Sequence, residues 1–116
     1  MGETLKAQKK EQDWILIFYF SWYLDETNSD AIFENIHKEI WDFTNKKVIF
    51  NFSWLTYLNS KSLWYISEIW VYLDESNGKF YITNCSDWIK NILSLIWIEK
   101  ILNIVLTEEE AIKLIK

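Results

Sequence analysis

The chain has 116 residues, 50% of them hydrophobic and 25% charged, and its 12 Lys and Arg stand against 17 Asp and Glu for a net charge of -5. That content of apolar residues excludes a disordered segment, which has too little to bury. The acidic balance argues against a nucleic-acid-binding protein, whose affinity comes from neutralising phosphates, and the length suits one domain, 1–116, around one core.

From the amino terminus, Met1-Gly2-Glu3-Thr4-Leu5-Lys6 has no apolar segment of the secretory kind before Lys9-Lys10-Glu11, and Lys6 stands where a myristoylation signal has Ser or Thr. Thr4 to Gln12 reads as a polar strand, Asp13-Trp14 as a turn, and Ile15 to Phe20 as a strand apolar on both faces and therefore buried. The longest dense apolar run, Trp14 to Leu24, falls far short of the ~20 residues a spanning helix needs, so no direct membrane insertion is expected. Asp25 to Asp30 is rich in capping residues, and Ile32, Phe33, Ile36 and Ile40 then form one apolar face of a first helix that starts near residue 28 and ends near Trp41.

Val48 to Phe52 is a buried strand, 53–58 a loop, and Leu63, Ile66, Ile69 and Leu73 mark a second helix from Ser60 to Leu73. Asp74 to Gly78 is a turn by composition, Phe80 to Asn84 a strand, and Ser86 caps a third helix with Ile89, Ile92, Leu93 and Ile96 facing inward and Trp97 at its end. Ile101 to Val105 is the last strand, and Thr107 with Glu110 forms a capping box for a final helix, Glu108 to Ile115. Strands separated by helices imply right-handed crossovers and a mostly parallel sheet, with the polar first strand antiparallel at an edge. The expected architecture is α/β: a mixed sheet of four or five strands, with about four helices beginning near residues 28, 60, 86 and 108 and packed chiefly against one face.

Several short segments occur in a telling order: Leu58-Asn59-Ser60, then Leu63 after two residues, Gly78-Lys79-Phe80 at a strand start, Ile92-Leu93-Ser94-Leu95, and Thr107-Glu108-Glu109-Glu110-Ala111. Together they resemble the STAS domain family, the fold of the bacterial anti-sigma-factor antagonists, over nearly the whole chain. The resemblance implies that Ser60, directly after Asn59, stands where a partner kinase places phosphate. It further implies a partner surface of Asn59, Ser60, Lys61 and Ser62 with Trp22 and Trp54. The implied partner is an anti-sigma factor with serine kinase activity, which supplies ATP and magnesium, so this chain needs no cofactor or metal and is not itself an enzyme.

Three departures bear on that site. Asn59 replaces the common Asp, Lys61 stands at the motif's second Ser or Thr, and Ser62 at its Gly. Lys61 either pairs with a phosphoserine or marks a domain that binds constitutively. By its position alone Asn59 or Ser60 is an ordinary helix N-cap, and Ser62 is a polar first-turn residue or a secondary phosphorylation candidate. The alternative function is a non-switching STAS module, a scaffold subunit or the soluble partner of a membrane transporter.

Eight tryptophans accompany two glycines and no proline, where about 8 glycines would be usual for this length. By the resemblance, Trp22, Trp54, Trp64 and Trp97 fall at family glycine positions, which points to UGA codons read as glycine in the source organism. Trp14, Trp41, Trp70 and Trp88 are less diagnostic, and a Trp-rich core or binding face is the competing explanation. The remaining chemistry-bearing residues have ordinary readings. His37 is a helix-surface or half-buried residue, Cys85 a small core residue at a strand end, and Glu108 to Glu110 suit a helix amino terminus. Nothing in the pattern places Ser60, His37 and Asp42 together as a triad. With one cysteine and no leader, a cytoplasmic location is expected.

Overall fold

The structure, a computed structural model, describes residues 8–20, 22–95 and 103–116. Among the described residues, seven strands and four helices follow one another as β1 (Gln8–Gln12), β2 (Ile15–Tyr19), β3 (Trp22–Leu24), α1 (Ser29–Ile40), β4 (Lys47–Asn51), β5 (Leu55–Leu58), α2 (Ser60–Glu75), β6 (Lys79–Thr83), α3 (Asp87–Leu95), β7 (Asn103–Val105) and α4 (Glu108–Ile115). The main sheet has the order β1-β2-β4-β6-β7, with β1 antiparallel to β2 and every other pair parallel. This is the expected mixed sheet with a polar antiparallel edge.

Register decides which side chains share a face. Phe18 lies opposite Phe50 and Phe50 opposite Ile82, while Ile17 lies opposite Ile49 on the alternate face. Leu16, Phe18, Val48, Phe50, Phe80 and Ile82 meet the apolar stripes of α1, α2 and α3 in the main core. Ile15, Ile17 and Ile49 form a second, smaller cluster with Ala111 and Ile115 of α4. The expectation of helices chiefly on one face therefore holds for α1 to α3 but not α4. The reason is the double-sided apolar character of β2 and β4, which leaves Ile15, Ile17 and Ile49 to be covered from the other side.

The helix ends follow local chemistry. The Lys46 ammonium donates to the Ile40 carbonyl at 2.9 Å and the Asp42 carbonyl at 2.7 Å, satisfying acceptors at and just beyond the end of α1. After α2, the Gly78 N–H donates to the Leu73 carbonyl at 2.7 Å. A Cβ there would stand 2.7 Å from the Lys46 carbonyl oxygen and 2.9 Å from Leu73 Cδ2, so glycine is required by close approach.

Two short strands escaped the sequence pattern. Residues 53–58, read as loop, contain β5, which pairs in parallel with β3 in a separate two-stranded sheet. Stretches of three and four residues are too short for alternation to register, and in β5 the register shift at Thr56 breaks it, leaving Leu55 and Leu58 buried and Thr56 and Tyr57 exposed.

The tryptophans at family glycine positions differ in their surroundings. Trp22 has φ 61°, but Trp64 lies inside α2 on its solvent side, Trp54 sits in the turn before β5 without positive φ, and Trp97 lies outside the described residues. Trp14 and Trp41, which the family pattern did not single out, have φ 68° and 64°.

Candidate functional site

All the parallel strands run in one direction, so the segments following β2 and β4 emerge at the same end of the sheet. There β3 and β5 continue the pairing of their parent strands, and α2 starts beside them. The Asn59 N–H donates to the Leu24 carbonyl at 3.0 Å, which ties the start of α2 to β3. Trp22 N–H donates to the Trp54 carbonyl at 3.1 Å, and the Thr56 hydroxyl to the Trp22 carbonyl at 2.6 Å. Next to them Asn28 clamps the approach to α1, accepting from the Asp25 N–H and donating to the Tyr23 carbonyl, both at 2.9 Å.

Within this frame the residues of the motif take different roles. Asn59 is the N-cap: its side-chain oxygen accepts from the Ser62 N–H at 3.0 Å and from the Ser62 hydroxyl at 2.7 Å. Ser62 is completely buried, so its side chain is committed to the cap and does not reach the surface expected of it. Ser60 is the first residue of α2 and is exposed, and among the described residues no hydrogen bond engages its hydroxyl. No acidic residue occupies the first turn of α2, and helix geometry leaves the Ser60 and Lys61 N–H groups without intrahelical acceptors. An anion at Ser60 would thus meet the positive end of the helix.

Lys61 points to α1 rather than standing alone. Its ammonium lies 2.9 Å from Asp30 Oδ1 and 3.0 Å from Oδ2, and the Tyr65 hydroxyl donates to the same carboxylate. Tyr65 first and Lys61 second hold the Asp30 carboxyl below its ordinary 3.8, while Asp30 pushes both the Lys61 ammonium and the Tyr65 hydroxyl up. Tyr65 stacks on Phe33 with ring centroids 4.9 Å apart, so the charged cluster rests on the core between α1 and α2. Lys61, Trp64, Tyr65 and Glu68 line an open groove running away from Ser60 along α2.

The structure keeps the other candidates apart. His37 Nε2 is 3.7 Å from Glu68 and its ring abuts Phe43 and Tyr72, while Asp42 accepts from the Thr44 N–H, so no triad with Ser60 is assembled. Cys85 is partly buried at the margin of the main core. Among the described residues no cluster of three metal-ligating side chains occurs, and no helix is long and apolar enough to cross a membrane.

One polar cluster was not legible in the sequence. Glu108 accepts from the Tyr19 hydroxyl at 2.8 Å and from the Asn51 side-chain amide at 2.9 Å, with the Lys10 ammonium at 3.6 Å. Burial, then the bond to Glu108, pushes the Tyr19 hydroxyl up, and Lys10 is pushed up by Tyr19 first. Asn51, whose other amide atom accepts from the Ser53 N–H at 2.9 Å, thereby links α4 to the segment leading to β5. Only the helix-start position of Glu108 is visible in sequence, because its partners lie 57 and 89 residues away.

Among curated proteins no sequence relative matches the chain. Solved structures do. A Thermotoga maritima protein described as an anti-sigma factor antagonist superposes with a TM-score of 0.88 at 22% identity, covering 94% of this chain and 93% of that one. The anti-sigma factor antagonist SpoIIAA in its unphosphorylated form gives 0.69 at 20% identity, covering 92% and 94%. The Bacillus cell fate determinant SpoIIAA in its phosphorylated form gives 0.70 at 19% identity, covering 95% and 99%. At these identities the likeness is one of fold. The STAS domain model matches residues 6–111, nearly the whole length, and the chain therefore belongs to the STAS domain family.

Proposed function

We propose that this domain is a non-enzymatic, cytoplasmic regulator of the anti-sigma-factor-antagonist type, which binds an anti-sigma factor with serine kinase activity and is released when Ser60 is phosphorylated. The observation that carries the reading is the division of labour at the start of α2. Asn59 and the buried Ser62 make the cap, which leaves the exposed Ser60 hydroxyl available. A phosphate there adds about -1.5 to -2 charges at a helix start without touching the core. The switch is then local: charge appears in the middle of a partner surface built from Asn59, Ser60 and Lys61 and the segments carrying Trp22 and Trp54, while the sheet stays as it is. The near-equal match to SpoIIAA with and without phosphate agrees with a modification that leaves the fold alone. Catalysis and the nucleotide belong to the kinase.

With a cognate anti-sigma kinase and ATP, mass spectrometry is expected to place phosphate on Ser60. Ser60→Asp should weaken kinase binding, and Ser60→Ala should bind but resist modification. Binding without phosphorylation would instead identify a constitutive interaction module, one of the two readings of Lys61 at the motif's second hydroxyl position. No binding to such a kinase would remove the switch and leave the non-switching module, a scaffold subunit or the partner of a membrane transporter, as the better account.

A further inference from the structure

Among the described residues, seven that are not glycine have positive φ: Asp13, Trp14, Trp22, Trp41, Asn45, Asn77 and Asn84. Asp and Asn are the ordinary non-glycine occupants of that region, because their short side chains bond locally and tolerate it. Tryptophan is not. Yet no Leu, Lys, Phe or Tyr occurs there, only Asx and Trp.

Each of the three tryptophans also occupies a backbone motif that asks for glycine. Asp13-Trp14 is the two-residue loop between β1 and β2, with both φ values positive at 54° and 68°. That is the primed hairpin turn for which Asp-Gly is a leading sequence signal. Trp22, at φ 61°, opens β3 opposite Leu55, just where the register against β5 shifts, and a positive φ at a strand start is borne most easily by glycine. Trp41 follows the last residue of α1 with φ 64° and ψ -80° while its N–H donates to the His37 carbonyl at 2.9 Å, and that pair of angles lies near the strained γ-turn region, which a residue without a Cβ enters most easily.

Nor do these side chains act as aromatics. Trp14 and Trp41 are each 84% exposed and Trp22 56%, whereas Phe18, Phe20, Phe33, Phe50, Phe52 and Phe80 are buried. Trp70, by contrast, packs against the main core and behaves as a tryptophan should.

We propose that Trp14, Trp22 and Trp41 are glycine in the protein as its own cells make it, encoded by UGA triplets that those cells read as glycine and that a Trp-reading of UGA renders as tryptophan. UGA is one base from the glycine codon GGA and one base from the tryptophan codon UGG, so both readings lie within a single step. The inference does not depend on what the domain binds. It changes the partner surface in one respect, replacing the Trp22 side chain by bare backbone beside the start of α2.

The test is the mass of peptides spanning residues 14, 22 and 41 in protein purified from cells that carry the gene. Each is expected to be lighter than the tryptophan-containing peptide by the Trp-to-Gly difference, and peptides of full tryptophan mass would overturn the proposal. Three chains made in a standard host, the tryptophan chain and two variants of it, supply the physical arm. Glycine ordinarily destabilises by freeing the unfolded chain, so a gain on substitution reports relief of positive-φ strain. Trp14→Gly, Trp22→Gly and Trp41→Gly together should raise the thermal midpoint above that of the tryptophan chain, while Trp70→Gly should lower it. A triple variant no more stable than the tryptophan chain would equally overturn the proposal.

Discussion

At Asn59 one amide oxygen accepts both the backbone N–H and the hydroxyl of Ser62, so a single side chain closes the start of α2 and holds a buried hydroxyl. Asn59→Ala should therefore destabilise by about 1–2 kcal/mol, the upper part of the range for a lost cap, measured by urea unfolding. Ser62→Ala should be milder, since it removes the buried hydroxyl along with the bond. Asp30 sets the charge that Lys61 presents to Ser60. Its folded-state value lies below 3.8, so its contribution is complete above the unfolded-state value and is lost as pH falls through the lower, folded-state one. The gap in thermal midpoint between wild type and Asp30→Asn should accordingly close on acidification, and a gap that persists would place the effect in packing instead. The same pair tunes the switch. Asp30→Asn frees Lys61 to offset the new charge and should reduce the binding loss on Ser60→Asp, while Lys61→Ala should enlarge it, as read by kinase titration.

Among the elements, α4 is held differently from the other helices. Its apolar contribution is the small cluster of Ala111 and Ile115 against Ile15, Ile17 and Ile49, and its first residue, Glu108, takes the Tyr19 hydroxyl and the Asn51 amide. Glu108→Ala strips the acceptor from a buried amide and should destabilise by about 1–3 kcal/mol in chemical unfolding. Glu108→Gln, which keeps an acceptor, should recover part of that loss. At the end of α2, Gly78→Ala pushes a Cβ to 2.7 Å from the Lys46 carbonyl, and because backbone yields poorly the variant should lose about 1–3 kcal/mol. A silent Gly78→Ala would mean that the turn between α2 and β6 relaxes more readily than its hydrogen bonds imply.

Over the whole molecule, the two unequal cores predict unequal opening. The main cluster joins three helices to β2, β4 and β6 and contains a chain of edge-on rings from Phe18 through Phe50 to Phe80. Phe50→Ala should cost about 3–5 kcal/mol and affect the entire fold. Amides of α4 should exchange with solvent earlier than those of β4, as a sub-global opening that leaves the main core intact. Hydrogen exchange followed by mass spectrometry would read this directly, and simultaneous exchange of the two would show that the smaller cluster is no separate unit.

The order of the main strands and all four helices was present in the sequence because apolar spacing and capping residues are local: Ile32, Phe33, Ile36 and Ile40 report a helix face wherever the helix packs. The position of Ser60 at a helix start was legible for the same reason. Which serine the Asn59 cap engages was not, since Ser60 and Ser62 differ in whether the side chain turns toward Asn59 and the core or toward solvent. Likewise the pairing of β3 with β5, the engagement of Lys61 by Asp30, the reach of Glu108 across to Tyr19 and Asn51, and the placing of α4 on the opposite face join residues far apart in the chain. Spacing along a sequence carries no record of such contacts. They are decided when the sheet closes and brings the ends of its strands together.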